Sequence, residues 1–186
     1  MPNTLHIVAI SGSLRQASYN TATLKAAMEL KPDDMQIEIA GIGDLPLYSE
    51  DVEKQGWPEP VARLRKTLQP ADGVLISTPE YNYSMPGVLK NAIDWLSRPD
   101  GESPIFGKPV GIMGATPSII GTARAQAHLR QVAYYNAMPL LASSEVLISR
   151  AQEKFDRAGR LVHDETRKFL AEFLVDFRNW VRKVGK

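Results

Sequence analysis

The segment Ser11-Gly12-Ser13-Leu14-Arg15-Gln16-Ala17-Ser18-Tyr19-Asn20-Thr21 follows a short apolar run, Leu5 to Ile10. Gly12 lets the backbone turn and approach a ligand closely. Ser13, Ser18, Asn20 and Thr21 carry side-chain donors. A helix that begins near Asn20 adds free backbone N–H groups and the favourable end of its dipole. Arg15 adds one full positive charge in a planar form suited to phosphate oxygens. Taken singly, each is an ordinary polar residue of a strand-to-helix loop. Together, after a first buried strand, they make a phosphate site.

A second cluster is Thr78-Pro79-Glu80-Tyr81-Asn82-Tyr83-Ser84-Met85-Pro86-Gly87. It follows another apolar run, Gly73 to Ser77. Tyr81 and Tyr83 can wall an aromatic ligand. Pro79 and Pro86 stiffen the loop, so its N–H and C=O groups can present a fixed edge to a flat heterocycle. Glu80 reads equally as a ligand contact or as a solvated carboxylate.

Other chemistries fail on spacing. No G-x-G-x-x-G follows the first run, because Gly12 stands alone. Gly41-Ile42-Gly43 has Pro at position 46 instead of the third glycine. Gly101 to Lys108 mimics a nucleoside-triphosphate loop, but its glycines are one residue too far apart and Pro109 replaces the metal-binding hydroxyl. Ser11 and Ser13 do not form a nucleophile elbow. His6, His128 and His163 share no metal-ligand spacing and read as structural or surface residues.

The elements that position these loops follow from periodicity. Short apolar runs predict strands over 5–10 and 73–77 and alternation predicts one over 35–40; further strands are expected over 108–114 and 140–148. Helical patterns fall over 20–30, 60–68, 86–97, 121–136 and 162–184, with an irregular surface excursion over 44–58. In the last helix Phe169, Phe173, Phe177 and Trp180 form a stripe that reads as core. Strands alternating with helices give a parallel sheet covered on both faces. Right-handed crossovers place every strand's C-terminal end on one rim, where ligands bind.

The composition fits one folded domain of residues 1–186. Apolar residues make up 44% of the 186, enough for a full core. Lys plus Arg number 22 and Asp plus Glu 21, a formal net charge of +1, so charge gives no reason to seek nucleic acid or an anionic membrane. The absence of cysteine excludes disulfides, thiolate catalysis and Cys-held metals. Any redox chemistry must therefore sit on a bound cofactor. Met1-Pro2-Asn3-Thr4 has no basic region, and Leu5 to Ile10 is too short for a signal segment or a membrane span. A cytoplasmic location is expected.

The two loops, with Leu89-Lys90-Asn91-Ala92-Ile93-Asp94-Trp95, closely resemble the NAD(P)H-dependent FMN reductases, above all their bacterial quinone and chromate reductase branch. The resemblance covers nearly the whole chain in order. It implies a flavodoxin-like, doubly wound, five-stranded parallel sheet in the order 2-1-3-4-5. It implies that Ser13, Leu14, Arg15, Ser18 and Asn20 hold the phosphate of flavin mononucleotide (FMN). Pro79, Glu80, Tyr81, Asn82 and Tyr83 would line the isoalloxazine. Thr116 in Ala115-Thr116-Pro117-Ser118 matches a third flavin contact, although Pro117 departs from the flexible residue expected there.

The implied activity passes hydride from NAD(P)H through FMN to a quinone, flavin, nitro compound, chromate or ferric ion, in a ping-pong order. No side chain need act as acid or base. Homodimers or homotetramers are also implied. Two alternatives keep the fold but not the turnover: an electron carrier and a flavin-binding sensor. Carriers tend to be strongly acidic around the flavin, which a chain of charge +1 with Arg15 in its phosphate loop is not.

Overall fold

The computed structural model describes residues 4–142 and 145–185. The expectations at Met1-Pro2-Asn3, and the part of the fifth expected strand at Ser143-Ser144, lie outside the described residues.

Five strands form one parallel sheet: β1 (Leu5–Ser11), β2 (Met35–Ala40), β3 (Gly73–Ser77), β4 (Val110–Ala115) and β5 (Val146–Ile148). Their order is β2-β1-β3-β4-β5, as expected. Ile7 pairs with Ile37 on one side and with Gly73 on the other. The sheet runs outward from β1 in both directions, so the rim between β1 and β3 is the point where strand order reverses.

The pleat sends alternate side chains to two cores. Ile7, Ala9, Leu75 and Met113 meet α1 (Tyr19–Leu30) and α7 (Asp164–Val184). Val8, Ile10, Val74, Ile76 and Ile112 meet α3 (Glu59–Leu68), α4 (Gly87–Leu96) and α5 (Ala123–Tyr135). Two single-turn helices complete the set, α2 (Glu50–Glu53) and α6 (Ala151–Lys154). Neither is marked by an apolar period, because one turn is too short to show it.

Three expectations are corrected. β5 spans only three residues; upstream, Leu140 makes an isolated bridge to Val110. The stretch 44–58 is more than a surface excursion, since Tyr48 and Trp57 pack edge-on against Trp95, which is fully buried. In α7 Phe173 and Phe177 are core, but Phe169 is 42% exposed and Trp180 only half-buried. The buried stripe is Leu170, Phe173, Leu174, Phe177 and Val181.

α7 is also fixed by charge. Asp34, just before β2, accepts from Arg178 at 3.1 Å and from Arg182 at 2.7 Å. Burial pushes its carboxyl up, but the Arg178 hydrogen bond and the two guanidinium charges outweigh this and hold it below the usual aspartate range. A lowered folded-state pKa stabilises above the unfolded value and is lost as the pH falls through the folded one. The stability advantage of wild type over Asp34→Asn, read from urea midpoints, is therefore expected at neutral pH. It should shrink once the pH drops below the aspartate range.

Candidate functional site

The β1 and β3 ends meet directly. Gly12 N–H donates to the Ser77 carbonyl at 2.8 Å, so both loops leave the rim from one hydrogen-bonded pair. A Cβ on Gly12 would lie 3.2 Å from Leu89 and Pro79 and 3.3 Å from Thr78. Glycine is what lets the first loop pass this close to the second.

Ser18 caps α1. Its hydroxyl oxygen accepts from the N–H groups of Asn20 and Thr21, each at 3.2 Å, and still has its own proton to donate. Ser13 is buried, and its hydroxyl accepts from Arg15 N–H at 3.4 Å. Ser11 and Thr21 hydroxyls lie 2.9 Å apart behind the loop. Leu14 is exposed and lies over Gly43. The exposed Arg15 guanidinium sits 5.4 Å from the Tyr19 ring centroid. Arg15, Ser18 and Thr21 thus border one cleft at the start of α1.

Asn20 is only 3% exposed, and its amide is engaged in the scaffold. Oδ1 accepts from Ala115 N–H at 2.9 Å and from Ser77 Oγ at 3.0 Å; Nδ2 donates to the Ala115 carbonyl at 2.9 Å. One side chain of α1 therefore locks the ends of β3 and β4 together, leaving a single amide proton.

The second loop is a tight two-residue turn. Tyr81 and Ser84 exchange both backbone hydrogen bonds, at 2.9 and 3.0 Å. Asn82 and Tyr83 take φ of +49° and +68°, the left-handed pair of a type I′ turn. Asn tolerates this region; for Tyr it costs about 1–2 kcal/mol. The ring of Tyr83 is 67% exposed. The strain is held by a clamp to α5. Glu80, with a side chain only 7% exposed, pairs with the Arg124 guanidinium and accepts from the N–H groups of Arg124 at 3.1 Å and Ala125 at 3.3 Å. Arg124 in turn lies 3.5 Å from the Tyr83 ring centroid. The hydrogen bond and charge of Glu80 raise the Arg124 pKa further above its ordinary value. Glu80 is therefore not a solvated carboxylate; it ties the second loop to the N-terminus of α5.

Thr116 follows β4, and its hydroxyl accepts from Ser118 N–H at 3.2 Å. Thr116, Ser118, Ile120, Thr122, Glu80, Asn82, Tyr83 and Arg124 surround a cleft of about 290 Å³. Sequence reasoning missed Ser118, Ile120, Thr122 and Arg124. The Glu80–Arg124 pair spans 44 residues, and no local spacing announces it. A second cleft, about 510 Å³, opens beside the first loop between Arg15–Tyr19 and the turn 156–159. A larger cleft of about 710 Å³ lies at the opposite rim, where Arg65 and Lys108 donate to main-chain carbonyls. It has no part in the strand-end chemistry.

The donor set suits a nucleotide with a phosphate at one end and a flat ring at the other. Among the described residues no group of His, Asp and Glu could hold a metal, and no helix is long and apolar enough to cross a membrane.

Comparison with known proteins agrees. The profile of a family described as NADPH-dependent FMN reductase matches residues 5–153. An NAD(P)H-dependent FMN reductase of Pseudomonas aeruginosa is 49% identical over 99% of both chains. A 2-hydroxy-1,4-benzoquinone reductase of a Burkholderia species is 44% identical over 96% of this chain and 97% of its own. Among solved structures, FerB of Paracoccus denitrificans, a flavoenzyme NAD(P)H:(acceptor) oxidoreductase, superposes with a TM-score of 0.90 at 36% identity, over 98% of this chain and all of its own. With this fold and these paired loops, the chain is a member of the NADPH-dependent FMN reductase family.

Proposed function

We propose that the whole chain works as one FMN-binding domain, an NAD(P)H oxidoreductase that passes electrons to small acceptors of the quinone class. The supporting observation is the junction at Gly12 and Ser77, which sets a phosphate-type loop beside a rigid aromatic turn at the reversal of strand order. Ser13, Leu14, Arg15 and Ser18 hold the FMN phosphate with the α1 N-terminus, and Asn20 fixes the strand ends beneath. Pro79, Glu80, Tyr81, Asn82, Tyr83 and Thr116 form the ring site.

Bound FMN supplies the hydride chemistry, taking two electrons from the dinucleotide and giving them to the acceptor. The residues orient and exclude. The type I′ turn holds the Asn82 and Tyr83 backbone in a fixed shape, so their N–H groups would meet negative charge on a bound flavin ring without reorganising. Tyr83 offers an exposed flat face. Donor and acceptor use the same face in turn, which makes the kinetics ping-pong. The acceptor range extends to flavins, nitro compounds, chromate and ferric ion.

The setting is cytoplasmic and the partner a second copy of the chain, as homodimer or homotetramer. Tyr134 and Tyr135, exposed at the end of α5, support such an association. Sedimentation should give at least a dimer.

The purified protein should be yellow, and anaerobic NADPH should bleach its flavin bands within seconds. A yellow protein that stays oxidised would favour the electron carrier or sensor. Arg15→Ala removes a charged phosphate contact worth about 1.5–3 kcal/mol. Its FMN dissociation constant should rise about tenfold or more. An unchanged constant would overturn the phosphate assignment.

A further inference from the structure

The 510 Å³ cleft beside the first loop extends well past the N-terminus of α1. One wall is Arg15 to Tyr19 with Thr21, Ala22 and Lys25; the other is Asp156 to Gly159. Lys25 stands about one and two-thirds helical turns beyond Tyr19, roughly 9 Å along the axis at about 1.5 Å per residue. Its backbone therefore lies on the second turn of α1, beyond the first-turn amides.

The cleft is cationic. Arg15, Lys25 and Arg157 line it, all exposed, and none forms an ion pair among the described residues. Its one carboxylate, Asp156, is engaged within its own turn, accepting from Arg160 N–H and Arg160 Nε, each at 2.8 Å. Those two bonds hold Asp156 ionised and turned to Arg160, below the usual aspartate range.

The far wall is built, not loose. Phe155 and Leu161 bridge the base of the hairpin, Gly159 N–H closes the turn on the Asp156 carbonyl at 2.9 Å, and Gly159 takes a φ of +77°. Arg157 is thereby placed at the tip. The Phe155 ring meets the Tyr19 ring at 5.4 Å, which ties this hairpin to the first residue of α1. Both walls are thus set before any ligand arrives.

We propose that this cleft is a second anion site, and that Lys25 and Arg157 take the 2′-phosphate of a phosphorylated dinucleotide donor. This rests on the reading that the protein oxidises NAD(P)H. Such a donor carries its ribose phosphate at the end remote from the nicotinamide. It needs cations removed from the ring site, as Lys25 and Arg157, which line a separate cleft, are from Tyr83 and Thr116. Arg15 serves the flavin phosphate, so two cations remain for the second phosphoryl group. Lys25 and Arg157 are then specificity-determining residues that select NADPH over NADH.

The test uses the FMN-loaded protein and the double variant Lys25→Ala/Arg157→Ala. Calorimetric titration with 2′,5′-ADP, 5′-AMP and inorganic phosphate reads binding directly. Wild type is expected to bind 2′,5′-ADP about tenfold or more tighter than 5′-AMP, and the double variant to lose that margin while keeping its flavin content. The ratio of kcat/KM for NADPH over NADH should fall by a similar factor. A margin that survives in the variant, or equal binding of all three probes by wild type, would overturn the inference. A fall in flavin content would reassign the two cations to the flavin phosphate. If wild type oxidises neither dinucleotide, the functional reading itself fails, whereas equal use of both removes only the 2′-phosphate site.

Discussion

Gly114→Ala should lose about 3 kcal/mol or more of stability, a drop of about 6–12 °C in Tm for a chain of this length. Gly114 lies in β4, and a Cβ there would stand 2.0 Å from Thr122 Oγ1, 2.5 Å from the Thr78 carbonyl oxygen and 3.0 Å from Thr122 Cβ. A main-chain oxygen at 2.5 Å cannot swing aside as a long side chain can. Thr122 is fully buried in the left-handed region at the start of α5, so it has no free rotation to offer. The displacement must pass to the β3 end and to the start of α5, which is where Glu80 docks. FMN affinity should therefore fall together with stability. Gly87→Ala is the control, since nothing lies within 4 Å of its Cβ position. It should leave Tm within about 3 °C of wild type or raise it. Differential scanning calorimetry of both variants checks this; equal Tm values would show that the β4 end has room that the contact distances deny.

Asn20→Ala has the second large effect. It removes three buried hydrogen bonds and leaves the N–H and C=O of Ala115 and the hydroxyl of Ser77 without that partner. An orphaned buried group costs about 1–3 kcal/mol, so a total near 3 kcal/mol is expected. Asn20→Asp keeps the volume but cannot donate to the Ala115 carbonyl, and it sets oxygen against oxygen. It should be no better than alanine. Guanidinium unfolding gives the energies, and hydrogen exchange at Ala115 N–H reports the local opening. Slow exchange in Asn20→Ala would mean that the β4 end is held by something else.

The same residue shows where sequence reading reached its limit. Polar residues after a first buried strand marked the loop as a ligand site, and types and spacing sufficed for that. They could not separate donors facing the ligand from donors facing inward, because Asn20 meets its partner 95 residues away. Glu80 is the same case with Arg124. The strands were legible because β1, β3 and β4 are largely apolar runs that end in turn clusters and β2 alternates apolar with polar residues, and the parallel arrangement followed from alternation with helices. β5 is shorter than the expected 140–148 because the apolar residues fall in two groups, of which only Val146–Ile148 pair as a strand while Leu140 makes an isolated bridge. In α7 a four-residue spacing was followed too far. Each step of four overshoots the turn by about 40°, so Phe169 drifts off the face that Phe177 occupies, and Leu170 takes its place.

The strand order has a consequence for biosynthesis. β1 is made first but lies inside the sheet, between β2 and β3. One edge is covered when residues 35–40 emerge; the other waits for residues 73–77. At about 5–20 residues per second, that second edge of an apolar strand stays open for several seconds on the ribosome. An open edge of this kind pairs with any strand that offers itself. Chains that stop between β2 and β3 keep that edge open and are expected to aggregate. Shielding that edge during the interval is the kind of task chaperones perform.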